Sequence, residues 1–314
     1  MLKDIINHKK WSASKSALLN QFIEHGGQTI AELSKNLGVS VPYTTKTLNE
    51  LIEIGLVQTT GKRDNYSKRA PKIYDLIATS GYFLGIDTGK DNLTFGICDF
   101  CGNMIADPVK IDIDYKDNLE CFETFIKSIN SFVEKSGIDK SQIKNACMSI
   151  GGRVNPEIGC AYNYFSCLGK PLAETMSEKL GLPFCIDNDT RCMTYGESLK
   201  GVCKGIKNVV FVNVSWGIGI GIIIDGKLYQ GKSGFSGEIG HMHIYNNDII
   251  CHCGKTGCME TETSGSALLR KMNQKLQEGG TSVLTDKVMK PNQELPHQDI
   301  LDALPKEAVL SIES

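Results

Sequence analysis

Along the first 55 residues apolar side chains recur three and four positions apart, and beyond Tyr82 they alternate with polar ones. The first spacing predicts three short helices. Leu18, Leu19, Phe22 and Ile23 share one face of the first, which ends at Gly26-Gly27. Thr29-Ile30-Ala31-Glu32 opens the second with a capping box, in which a hydroxyl and a carboxylate each satisfy a backbone N–H that lacks a helical partner. Leu33 and Leu37 continue this helix to Gly38. Ser40 caps the third, Pro42 falls in its first turn where no backbone bond is lost, and Thr44, Leu48, Leu51 and Ile52 line its inner face up to Gly55.

Two short helices, a Gly-containing turn and a third helix make a helix-turn-helix. The outer face of the third helix offers Tyr43, Thr45, Lys46 and Asn49, which suit base edges or phosphates in a major groove. Leu56-Val57-Gln58 and Ile73-Tyr74 predict two strands around a loop with Lys62, Arg63, Lys68 and Arg69, a wing whose cations suit phosphate or a minor groove. Lys and Arg outnumber Asp and Glu by four in residues 1–76 and are outnumbered by six in the remainder, for a net charge of −2. A basic head on an acidic body directs double-stranded DNA to the head. A three-helix protein-interaction module with solvated charges is the alternative reading of the same residues.

From Tyr82 the alternation predicts strands at Tyr82–Asp87, Leu93–Asp99 and Met104–Ile111, then an amphipathic helix with Phe122, Phe125, Ile126, Ile129, Phe132 and Val133 on one face. Further strands follow at Ala146–Ile150 and at Phe184–Ile186, the latter entering Asp187-Asn188-Asp189, and Val209–Val214 and Ile218–Ile224 open a second set. Strands, a helix and more strands, occurring twice, predict an α/β body of two related lobes. The longest apolar stretch, Val209 to Ile224, is broken by Asn213, Ser215 and glycines and falls short of the roughly 18 apolar residues of a membrane helix. MLKDIINHKKW lacks an apolar core followed by a cleavage site. These features predict a cytoplasmic protein without a membrane partner.

Twelve cysteines in such a chain suggest thiols or metal ligands rather than disulfides. Nine are scattered, mostly within apolar strands, and Cys98-Asp99-Phe100-Cys101 sits on a turn where no helix start activates a thiolate. Cys251, Cys253 and Cys258 cluster, and with one of His241, His243 or His252 they form the Cys₃His set that zinc favours in closed sites. Gly254 and Gly257 permit the tight backbone that lets the sulfurs converge.

The segments GIDTGKDNLTFGICDFCG, SIGGRVNPEIG, PFCIDNDTRCMTYGE, NVSWGIGIGIIIDGKLYQGKSGFSGEIGHM and CHCGKTGCMETETSG run in that order between Gly85 and Ser264. They resemble the ROK family (repressors, open reading frames, kinases), which has the actin-like, ribonuclease-H-like ATPase fold of the sugar-kinase type. A winged helix ahead of such a body resembles the family's transcriptional regulators. The resemblance implies a DNA-binding domain over residues 1–78 and a sugar-kinase-like effector domain over 79–314. It selects His241, in H-x9-C-x-C-x4-C, as the fourth ligand of a structural Zn²⁺. It also implies a sugar site of Asn188, Asp189, Glu238, His241 and Glu260, with Asp189 where the kinases have their general base. Zinc on one nitrogen of His241 would turn the other toward the sugar.

The phosphate loops depart from the family. Its kinases carry D-x-G-G-T-K and G-T-G-I-G-x-G, where this chain has Asp87-Thr88-Gly89-Lys90-Asp91-Asn92 and Ser215-Trp216-Gly217-Ile218-Gly219-Ile220-Gly221. Asp87, Gly89, Ser215 and Gly217 remain in these degraded loops, while Asp91 puts negative charge where a triphosphate must sit and Trp216 is bulky. The loops argue against ATP and Mg²⁺ and against an enzyme. A glucokinase-like, ATP-dependent sugar kinase with a DNA-binding head is the alternative. Arg153, typical of the regulators' version of its loop, suits an anionic group on the effector or an ion pair within the fold. After Ser264 the chain resembles the approach to the family's closing strand-helix-strand, so the second lobe is expected to be truncated, with apolar surface and a sheet edge exposed. The resulting expectation is a repressor of a carbohydrate-use operon with a sugar effector, a homo-oligomer in its complete form, on a palindromic operator.

Overall fold

The computed structural model describes residues 12–62 and 70–281. The chain divides into two compact units, Met1–Asp189 and Thr190–Ser314. The first opens with helices α1 (Ala13–His25), α2 (Ile30–Leu37) and α3 (Val41–Glu53), followed by strands β1 (Val57–Lys62) and β2 (Lys72–Leu76), which pair antiparallel. Leu18, Phe22, Leu33, Leu48, Leu51, Leu56, Val57 and Leu76 form one buried cluster. The capping box is made: the Thr29 N–H donates to the Glu32 carboxylate at 2.9 Å and the Glu32 N–H to the Thr29 hydroxyl at 3.3 Å. The inner faces are narrower than the spacing predicts, since Ile23 and Ile52 are 44 % and 36 % exposed. A buried place on α1 is taken instead by the stem of Lys15, whose ammonium pairs with Glu50 at 2.8 Å. Ser40 makes no side-chain cap; its carbonyl accepts the N–H and hydroxyl of Thr44 at 3.0 and 3.1 Å.

Next come β3 (Tyr82–Thr88), β4 (Asn92–Asp99), β5 (Val109–Asp112), α4 (Leu119–Lys135), β6 (Ile143–Ile150), β7 (Val154–Asn155), β8 (Cys160–Ala161), α5 (Leu172–Leu180) and β9 (Phe184–Asn188). The main sheet has the order β5-β4-β3-β6-β9, antiparallel through β3 and parallel beyond it. Period-2 alternation puts Leu84, Ile86, Phe95, Ala146, Met148, Ile150 and Ile186 on one face, in one cluster with Phe122, Phe125 and Ile129 of α4 and Leu172 and Met176 of α5. The strand expected from Met104 starts at Val109. Met104 makes only an isolated bridge to Cys98, and Pro108, which has no N–H to donate, interrupts the ladder.

Phe100 and Cys101, on the turn after β4, pack against the head's cluster rather than the sheet's. The Asp99 carboxylate closes this turn by accepting the N–H groups of Cys101 and Asn103 at 2.8 and 2.9 Å. The border expected after residue 78 falls in a one-turn 3₁₀ helix, Ala78–Ser80, between the two clusters.

The second unit holds α6, which starts at the division point (Asp189–Lys200), the strands β10 (Val209–Val214), β11 (Ile218–Ile224) and β12 (Lys227–Leu228), and helices α7 (Glu260–Thr263) and α8 (Gly265–Gln277). The strands form an antiparallel sheet of order β10-β11-β12. A Cβ on Gly219 or Gly221 would stand 3.2 Å from the Thr190 hydroxyl or 1.8 Å from that of Thr194, so α6 lies directly against β11. Among the described residues no helix is long and apolar enough to cross a membrane.

Candidate functional site

In the second unit, two isolated bridges, His243 to Cys258 and Ile250 to Thr256, fold the segment before α7 back on itself. Gly254 and Gly257 take φ values of +84° and +70°, which a side chain would oppose. The Cys251 N–H donates to the Lys255 carbonyl at 2.8 Å, and the ligand atoms of His241, Cys251, Cys253 and Cys258 all come within 4.8 Å of one another. The Cys253 and Cys258 sulfurs are 3.6 Å apart, and Cys251 Sγ is 3.5 Å from His241 Nδ1. Tetrahedral zinc, with Zn–S near 2.3 Å, holds sulfurs about 3.8 Å apart, so both the donor set and the spacing fit that ion. Burial pushes the Cys251 thiol up to about 12. Cys253 is held below its ordinary value, against burial, by the Lys255 N–H and the neighbouring thiols. Thiols packed this closely gain a large electrostatic benefit when a cation replaces their protons.

Of the three candidate imidazoles, His241 joins all three sulfurs. His243 Nδ1 faces the Thr256 carbonyl at 3.1 Å, and His252 Nδ1 lies 2.9 Å from Glu260 Oε1. Because His241 turns Nδ1 toward Cys251, its Nε2 is the atom nearest Glu238, at 3.8 Å from Oε2. Glu260 is buried and its second oxygen accepts the Ile218 N–H at 3.0 Å. The His252 contact and that N–H, working against burial, hold its carboxyl below the usual range. A Cβ on Gly217 or Gly240 would meet the Glu260 Oε2 at 2.7 or 3.1 Å. The glycine-rich run that resembles a phosphate loop is therefore also what admits this carboxylate. Ser215 and Trp216 accept, through their carbonyls, the N–H groups of Gly265 and Ser266 at the start of α8.

In the first unit, the ends of β6 and β9 bring a second set of groups together. Buried Asn188 donates its amide to the Gly152 carbonyl at 3.0 Å. A Cβ on Gly151 would stand 3.6 Å from Asp189 Oδ2 and 3.8 Å from the Tyr164 hydroxyl. Gly152, at φ +78°, would clash with Asn163, whose Oδ1 accepts the Arg153 N–H at 3.1 Å. Burial, and then the nearby Asp189 carboxylate, raise the Tyr164 phenol above its ordinary value. Asn163 and Tyr164 escape a reading by periodicity, because they lie between β8 and a one-turn 3₁₀ helix in a loop set by the positive φ of Phe165. The only cue is an aromatic run in a polar stretch. Arg153 itself is exposed. Ser149 donates to Asp87 Oδ1 at 2.8 Å, the Gly89 N–H closes a turn on the Asn92 carbonyl at 2.9 Å, and Lys90 and Asp91 are exposed.

In the head, Tyr43, Lys46 and Asn49 are exposed on α3 and Lys62 is exposed at the end of β1. Thr45 spends its hydroxyl proton on the Val41 carbonyl at 2.8 Å, and the Tyr43 hydroxyl lies 2.6 Å from that of Ser14. Arg63 and Arg69 lie outside the described residues.

Comparison with known families matches residues 83–308 to the ROK family and residues 13–58 to a winged helix-turn-helix DNA-binding domain. The chain is 28 % identical over 263 residues to the xylose repressor of Bacillus subtilis (strain 168), covering 83 % of this chain and 68 % of that protein. It is 30 % identical over 197 residues to the glucokinase of Streptomyces coelicolor, covering 62 % of this chain and 60 % of that enzyme. Among solved structures, a ROK family transcriptional regulator, a homolog of the Escherichia coli MLC protein, superposes with a TM-score of 0.77 at 26 % identity, over 96 % of this chain and 76 % of that one. A Streptomyces griseus glucokinase in complex with glucose and AMPPNP shares the fold, with a TM-score of 0.62 at 24 % identity over 74 % of each chain.

Proposed function

The chain belongs to the ROK family, and from that membership we propose that it is a DNA-binding transcriptional repressor of carbohydrate-use genes whose body senses a sugar. The observation that carries this reading is a winged helix with a polar outer face, Tyr43, Lys46 and Asn49, on the same chain as a ROK body. Similarity to the xylose repressor and to the MLC-like regulator supports it. Two heads in a homo-oligomer would read the two halves of a palindromic operator. Replacing Lys46 by Ala should then weaken DNA binding and flatten its salt dependence.

Sugars are recognised by groups that both take and give hydrogen bonds around a ring of hydroxyls. Asn188 and Asp189, joined by Asn163 and Tyr164, are such groups in the first unit, and Glu238, His241 and Glu260 in the second. Zinc held by His241 Nδ1, Cys251, Cys253 and Cys258 would supply a fixed charge that closes the loop before α7 and sets the His241 ring. Asp91 and Trp216 support a body that does not use ATP. Induction requires only that the sugar bind the DNA-competent and DNA-incompetent states with different affinities.

The kinase reading keeps one specific support, Asp189 in a ROK body similar to a glucokinase. A thermal-shift screen of the zinc-loaded protein against pentoses, hexoses, amino sugars and their phosphates, with and without Mg-ATP, separates the two. Stabilisation by one sugar and indifference to ATP supports a sensor; stabilisation by ATP with ADP release makes the protein an enzyme. In the enzyme case Asp189→Asn should abolish turnover while changing sugar affinity less.

A further inference from the structure

The face of the first sheet turned away from α4 carries a row of small side chains. Gly96, Gly85, Cys147 and Cys185 stand side by side, in register, across β4, β3, β6 and β9. The nearest atom to a Cβ on Gly85 would be the Gly96 carbonyl oxygen at 3.8 Å, so Cys147 has open space on its Gly85 side. Both cysteines are half-buried; Cys147 hydrogen-bonds to the Cys185 sulfur, and the Cys185 thiol itself donates to the Ala146 carbonyl at 3.6 Å. Asn145 donates its amide to Cys185 Sγ at 3.5 Å. The bond from Cys147, aided by Asn145 and opposed by burial, holds the Cys185 thiol below its ordinary value. Neighbouring strands run about 4.8 Å apart, inside the roughly 4.4–6.8 Å Cα separation that a disulfide spans.

We propose that Cys147 and Cys185 are a modification site, a thiol pair that a low-molecular-weight disulfide converts to an internal disulfide. The Cys185 thiolate attacks one sulfur of the small disulfide and expels the other half as a thiol, leaving a mixed disulfide. Cys147 then gives up its proton and attacks the Cys185 sulfur, forming the internal bond and expelling the second small thiol. Two protein thiols are oxidised, one small disulfide is reduced to two thiols, and both protons leave on those products. Cys147 precedes Ser149 by two residues and Cys185 precedes Asn188 by three, so the bridge would tie β6 to β9 just before the ends that carry the ligand-facing groups. The site does not depend on the sugar reading.

The test treats the zinc-loaded full chain with oxidised glutathione, alkylates the remaining thiols and maps non-reduced peptides by mass. The expected product is a Cys147–Cys185 linked pair, lighter by two hydrogens and restored by reductant. Cys147→Ser should stop at a glutathione adduct on Cys185. Recovery of both residues alkylated, or of each carrying its own glutathione in the unsubstituted protein, overturns the proposal. An adduct-free Cys185 in Cys147→Ser overturns the assigned order of attack.

Discussion

In the first unit the antiparallel strands β5-β4-β3 continue past β3 into parallel β6 and β9, whereas in the second the corresponding meander β12-β11-β10 has no further strand beside β10 among the described residues. The cores differ in kind as well. Around β3 and β6, aliphatic and aromatic side chains from both helices and five strands pack together, with Phe125, Ile129, Met148 and Ile150 fully buried. Among the described residues, the buried set of the second unit is smaller and more polar: Ile223, Ala267, Leu269, Met272 and Leu276 share it with Cys251, Cys258, Arg191, Thr194 and Glu260. Buried Arg191 donates to the Gly234 carbonyl at 2.5 Å. One unit stands on apolar volume. The other stands on close backbone approach and on four groups placed to hold a metal.

The largest effect should come from removing that metal. Structural zinc supplies on the order of 10–16 kcal/mol in zinc-finger peptides, far more than the buried aliphatics among the described residues of this unit can replace. Chelation, or Cys258→Ser, should strip hydrogen-exchange protection from β10 and β11 and leave β3 and β6 protected. Equal loss in both sheets would break the contrast. The matching change in the first unit is Phe125→Ala, which leaves a cavity among Phe122, Phe165 and Ile129 and should cost about 3–5 kcal/mol in the unfolding of that unit. Chemical denaturation with and without zinc checks it, and the cost should not depend on the metal.

A smaller effect tests how closely the second unit packs α6 against β11. Gly221→Ala adds one methyl where Thr194 Oγ1 already lies 1.8 Å away, with the Thr194 Cβ at 2.6 Å. Overpacking of this kind costs about 1–3 kcal/mol, and here the obstacle is a helix rather than the free end of a long side chain. The same methyl on Gly85 meets only a carbonyl at 3.8 Å, so Gly85→Ala in the first sheet should fall well below that range. Comparable losses at both positions would show that the two glycine strands are alike after all.

Much of this was legible from residue order, for reasons that differ by region. The head follows local rules, a capping box, glycine stops and a helical stripe, so its elements fall where the spacing predicts, with Ile23 and Ile52 set outward by the limited width of the buried stripe. The first sheet follows its alternation except at Asp107-Pro108, where a missing N–H delays β5. The Cys₃His spacing is visible in the chain and the family resemblance picks His241 from three histidines; the fold sets His241 among the sulfurs and turns His243 and His252 to Thr256 and Glu260. Asn163 and Tyr164 were invisible because a loop brings them to Gly151-Gly152 through one positive φ at Phe165, which no periodicity encodes. The role of Gly217, Gly219 and Gly221 was legible only in part: their pattern resembles a phosphate loop, while their contacts are with Glu260 and α6.

The smallest effect in free energy bears most directly on the outer side of β10, beside which no strand lies among the described residues. Val210, Val212 and Val214 alternate along β10 at 64 %, 55 % and 62 % exposure, and no Lys, Glu or Pro interrupts VVFVNV. An uncharged edge strand with one apolar side is a template for pairing with another chain. Val212→Lys adds a charge at its middle, on the exposed side, where a surface substitution changes folding stability by only about 0.5 kcal/mol. Sedimentation velocity across a concentration series should show the unsubstituted protein associating and Val212→Lys shifted toward the smaller species, with the unfolding midpoint of the second unit unchanged. A large loss of stability instead would mean that this face is covered in the folded protein, and the second sheet would then resemble the first more closely than its strands suggest.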